Sequence, residues 1–106
     1  KGMFQYLKAE GHHIRGADIL FSSNLPDGAG LSSSAALEVL TGYMMLSVEG
    51  KTNIDTIWLA QLAQKVENKY IGVNCGIMDQ FAVANGKANH AILLDCHSII
   101  PWCLLI

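Results

Sequence analysis

Met3, Phe4 and Leu7 recur at helical spacing, so residues 1–9 are predicted to be the end of an amphipathic helix. A different rhythm follows in GADILFSSNLP, residues 16–26, where Ile19 and Phe21 are set against Asp18, Leu20 and Ser22. That segment is predicted to be a strand over residues 17–24 with one well-buried face, stopped by Asn24 and Pro26. After a glycine-rich turn, a second helix is expected over residues 33–48. Its apolar face is assigned to Ala36, Leu37, Leu40, Met44 and either Leu46 or Val48, and Gly50 stops it. Asn53 is expected to cap a third helix over residues 54–70, with Ile57, Leu59, Leu62, Val66 and Tyr70 inward. The glycine-bounded turn GVNCG leads into a short helix over residues 77–84. NGKAN turns the chain, and HAILLDC reads as a buried strand over residues 89–95. Helices and strands are thus mixed, and two helices between the strands argue against a simple Rossmann repeat.

Composition narrows the class. The 106 residues can bury one core, and 51% of them are hydrophobic. Seven basic and nine acidic side chains leave a net charge of −2, and the basic ones are scattered, so there is no footprint for nucleic acid. No apolar run approaches the roughly 20 residues of a membrane span, and the start KGMFQYLKAEG lacks the pattern of a signal peptide. Cys75, Cys96 and Cys103 form an odd set without a C-x-x-C pair, which points away from a disulfide framework or zinc site and towards a reducing, cytoplasmic setting. A chain without an initiator Met that ends on IIPWCLLI reads as a cut from a longer one.

The chemistry concentrates in LPDGAGLSSSAALEVL, residues 25–40. Two glycines and three serines stand where a helix begins, and a helix N-terminus offers free N–H groups and positive potential to an anion. Ser33 stands where a Rossmann fingerprint needs its third glycine, and no lysine lies between Arg15 and Lys51 for a Walker A loop. Two readings stay open on spacing alone: an anion cradle, or a tight turn capped by Ser32 or Ser33. Glu67 lies near a helix end, the unfavourable end for a carboxylate, so either it is a solvated surface group or it has a cationic partner, a lysine such as Lys69 or a metal. Asp79 follows a glycine turn in apolar company (Cys75, Ile77, Met78, Phe81) and either caps the short helix or acts chemically. Cys75, Met44, Met45, Tyr43, Trp58 and Phe81 read as core. His12 and His13 read as solvated, and His90 and His97 show no ligand spacing.

Taken together, LPDGAGLSSSAALEV and GVNCGIMDQFAVANG resemble the galactokinases of the GHMP small-molecule kinases. The first motif is similar to the superfamily's phosphate loop, P-x-G-x-G-L-S-S-S-A, and CGIMDQF is the part specific to galactokinases. The likeness runs over almost the whole chain and departs from about His97 onward. It implies an α+β fold, ribosomal protein S5 domain 2-like, present in part over residues 1–106, with the phosphate loop at 25–36 and the catalytic segment at 72–86. By the same resemblance, Gly28, Gly30, Leu31, Ser32 and Ser33 would wrap the phosphates of ATP. Ser34 and Glu67 would hold Mg²⁺, Asp79 would be the general base, and Gly76 would approach the sugar. The implied reaction is ATP-dependent phosphorylation of galactose to galactose 1-phosphate. Alternatives are another sugar kinase of the superfamily, such as an N-acetylgalactosamine kinase, or a non-catalytic galactose sensor. The family's N-terminal sugar motif, G-R-x-N-x-x-G-E-H-T-D-Y, does not occur here. The chain is therefore expected to be an internal piece of the N-terminal half, inactive alone and working with the rest of its parent.

Overall fold

A computed structural model describes residues 1–26, 28, 30–72 and 76–98, and the backbone of 100–105. Four α-helices, α1 (Gly2–Ala9), α2 (Ser33–Val48), α3 (Thr56–Lys65) and α4 (Met78–Asn85), precede a hairpin of β1 (His90–Asp95) and β2 (Ile100–Leu105). A π-helical turn, Val66–Ile71, continues α3 without a break and ends at Gly72, whose φ of 87° only glycine adopts readily.

One core joins α1, α2 and α3 through Met3, Leu7, Val39, Met45, Leu46, Leu59, Leu62 and Val66. A second, built on Ala60, Ile77 and Phe81, receives Ile92 and Leu94 from β1. Gly42 lets side chains of α1 and α3 pack against the backbone of α2, because a Cβ there would lie 2.5 Å from Met3 Cε and 2.7 Å from Leu59 Cδ1. The start of α3 is tied to the end of α4 where Thr56 Oγ1 donates to Asn85 Oδ1 at 2.6 Å.

The helices stand close to expectation, but several details are corrected. α2 buries Ala35, Glu38, Val39, Gly42, Met45 and Leu46, whereas Leu37, Leu40, Tyr43 and Val48 face outward. The helix is apolar on nearly every side, so its pattern did not single out one stripe. The cap of α3 is Asp55, whose carboxylate accepts from the N–H groups of Ile57 and Trp58 at 3.0 and 3.2 Å; Asn53 takes a left-handed conformation instead. Tyr70, expected inward, is exposed on the π turn. His12 is half-buried, its ring 5.5 Å from that of Trp58. Cys75 lies outside the described residues.

The larger correction concerns strands. Residues 17–24 form no strand, and Leu20 is 95% exposed. β1 is half-buried in alternation, with Leu93 outward, and its antiparallel partner is β2, from His90 opposite Leu105 to Asp95 opposite Ile100. A strand exists only with a paired neighbour, and one four residues away is cheaper to close onto than a segment far back in the chain. Asp95 builds the intervening turn by accepting from the N–H groups of His97 and Ser98 and from Ser98 Oγ.

Candidate functional site

The turn before α2 brings its backbone to a point. Gly28 and Gly30 have φ of 70° and 71°, and Ser32, at the N-cap, is also left-handed at 56°. Left-handed residues in a turn can aim backbone N–H groups to one side, a concavity suited to anions. The first intrahelical bond runs from Ala36 N–H to Ser32 O at 2.9 Å, which leaves the N–H groups of Ser33, Ser34 and Ala35 without helical acceptors. Ser32 makes no side-chain cap hydrogen bond, so the simple capping reading of the serines is not realised. A Cβ added at Gly28 or Gly30 would meet nothing within 4 Å, so neither glycine makes room for the protein's own atoms. The open side is free for a ligand to approach. Leu31 beside them is exposed. Ser33 and Ser34 also edge a cleft of ≈ 430 Å³ whose far wall is Phe21, Leu25, Leu37 and Leu40.

One turn into α2, Glu38 is 9% exposed and no donor group reaches either carboxylate oxygen. It faces Glu67, which sits in the π turn with Oε2 likewise buried and unpartnered. Ionised carboxylates only accept, so the two satisfy one another only when a proton lies between them. Burial first, then a shared hydrogen bond with Glu67 and its charge, pushes the Glu38 pKa up to about 8. Among the described residues no ion pair involves Glu67, so Lys69 is not its partner. Glu38 was not among the expected site residues; the polar interruption in an otherwise apolar face was its one visible signal.

Asp79 stands in the first turn of α4, exposed rather than buried in its apolar neighbourhood. The N-cap position belongs to Ile77 with no side-chain bond, so Asp79 does not cap and its carboxylate is left to solvent at the favourable end of the helix. Gly76 precedes it in open space. The structure thus has an uncapped helix start and, a turn along the same helix, a buried Glu38 that faces the half-buried Glu67 of the π turn. The short helix bearing Asp79 packs against both α2 and α3.

Hard divalent cations take oxygen donors, and Mg²⁺ is held by one or two carboxylates plus phosphate oxygens and water. A buried and a half-buried carboxylate that face each other, with three oxygens that meet no donor, suit such an ion. Among the described residues no group of three or more His, Cys, Asp or Glu side chains could hold a metal, so further donors would come from a hydroxyl or a ligand. No helix among them is long and apolar enough to cross a membrane.

Known proteins resemble the chain over most of its length. The family described as the GHMP kinases N terminal domain matches residues 1–87. A galactokinase of Clostridium tetani is 48% identical over 99 residues, covering 93% of this chain and 25% of that protein. One of Bacillus subtilis is 47% identical over 100 residues with the same coverage. The crystal structure of Lactococcus lactis galactokinase complexed with galactose superposes with a TM-score of 0.90 at 41% identity, over 98% of this chain and 27% of that one. The chain spans about a quarter of the length of the curated relatives it matches.

Proposed function

Since the chain belongs to the GHMP kinases through their N-terminal domain, an α+β fold present here in part, we propose that it is the phosphate-loop portion of a galactokinase. The observation that carries this reading is the uncapped N-terminus of α2 behind left-handed Gly28, Gly30 and Ser32, a site built for a polyanion. Identity of 48% to a galactokinase over 93% of the chain supports galactose as the sugar. The reaction is transfer of the terminal phosphoryl group of ATP to the anomeric hydroxyl of galactose, giving galactose 1-phosphate, in the cytoplasm.

In this reading the N–H groups of Gly28, Gly30, Leu31, Ser32 and Ser33 grip the ATP phosphates and align them for attack. Asp79, exposed at the start of α4, accepts the proton of the sugar hydroxyl, while Gly76 lets the sugar ride close to the backbone. Ser34 and Glu67 hold Mg²⁺, which when bound offsets negative charge on the phosphates. The rest of the parent chain supplies the remaining sugar and nucleotide contacts.

The test is galactose-dependent ATP consumption by the full-length protein carrying these residues. Asp79→Ala is expected to retain ATP binding and lose about 100-fold or more in kcat. Turnover near that of the unaltered protein would remove Asp79 from this role. A panel of sugars including N-acetylgalactosamine settles the specificity, and absence of turnover with every sugar would favour a sensor.

A further inference from the structure

Glu38 is a buried carboxylate that the kinase reading leaves without a task. It lies four residues after Ser34 on α2, so the two share one side of the helix. Helical side chains lean towards the N-terminus, which carries the Glu38 carboxylate back over the turn that bears Ser34. From the other side, the π turn presents Glu67, and π turns recur where a side chain must be re-aimed for function. Glu38 thus shares a helix with the hydroxyl of Ser34 and faces Glu67 across the fold, and three of the four carboxylate oxygens of the two glutamates meet no donor group.

Resting on the kinase reading, we propose that Glu38 is a second carboxylate of the divalent-cation site, acting with Glu67 and the hydroxyl of Ser34. Two carboxylates that face each other meet only by sharing a proton, and a divalent cation can take the place of that proton. The same pair explains why a buried glutamate occupies the inward face of a helix otherwise filled by Ala35, Val39, Gly42, Met45 and Leu46. Cation, phosphates and helix start would then form one continuous site, with the metal held from α2 as well as from the π turn.

The experiment titrates Mn²⁺ into the full-length protein saturated with a non-hydrolysable ATP analogue and reads bound metal by electron paramagnetic resonance. Glu38→Gln keeps shape and hydrogen-bonding capacity but removes the charge, and is expected to weaken Mn²⁺ binding by about 10-fold or more. Glu38→Asp, which keeps the charge on a shorter arm, should fall between. Metal-free melting checks the fold of each variant. There Glu38→Gln should be at least as stable as the unaltered protein, and its melting temperature should gain less from added Mn²⁺. If Glu38→Gln binds Mn²⁺ like the unaltered protein while Glu67→Gln does not, Glu38 is only a neutral neighbour and the proposal is overturned. If neither variant changes Mn²⁺ binding, the metal assignment of Glu67 in the kinase reading falls with it.

Discussion

Ser32, with φ 56° and ψ 44°, holds a conformation that side chains with a Cβ rarely adopt, yet it draws no cap hydrogen bond in return. Such a residue is understandable where the backbone is shaped for something that approaches from outside. Glu38 carries a comparable cost. Its folded-state pKa of about 8 lies above the unfolded value of 4.5, so the folded chain binds the proton more tightly. Stability from this group is complete below the unfolded value and is lost as pH rises through about 8. Glu67 is the one charged neighbour that acts on it. Without divalent cation, melting temperature is expected to fall as pH rises across this window, and Glu38→Gln should flatten the slope. A slope equal in both proteins would show that Glu38 does not titrate there. At this scale the glycines, serines and Asp79 were legible because their order in the chain carries the motif. Glu38 was not, because a carboxylate among apolar residues looks like any solvated helix position until its neighbour across the fold is known.

For whole elements, legibility tracked how one-sided each pattern is. α1 has a single stripe, and Met3 and Leu7 are buried as expected. α2 has apolar residues all round, so its length was readable while its inward face was not. The start of α3 turned on two polar residues two positions apart, and only geometry separates them: Asp55 is extended and reaches two N–H groups, whereas Asn53 bends the chain before it. Asp55→Ala is therefore expected to cost about 1 kcal/mol of stability, and Asn53→Ala should cost less and through backbone strain alone. Equal losses in chemical denaturation would mean that the two Asp55 bonds contribute nothing. The hairpin was half visible, since HAILLD alternates but its partner IPWCLL offers only a continuous apolar run with Pro101 inside it.

Over the whole molecule, apolar side chains lie outside both cores: Phe21, Leu25, Leu37 and Leu40 are exposed around one cleft, Leu20 and Val48 elsewhere, and Leu93 on the outer face of the hairpin. Patches of this kind mark surfaces that another piece of protein covers. The isolated 106-residue chain is accordingly expected to self-associate, bind a hydrophobic dye and show no galactose-dependent ATP consumption. A monodisperse species in sedimentation velocity that melts cooperatively would contradict this. The expectation of a strand over residues 17–24 failed at the same scale, because strand formation depends on a partner and not on local pattern alone. The π turn also acts over this distance. A helix advances about 100° per residue, so the wider turn works as a phase shifter between α3 and everything after Gly72. It lets Val66 keep its place in the first core while resetting the angle at which the chain leaves for Gly76 and Asp79. The spacing between Glu67 and Asp79 is thereby a mechanical gauge: one residue more or fewer in that turn would rotate the carboxylate at one end against the carboxylate at the other, with both cores still filled.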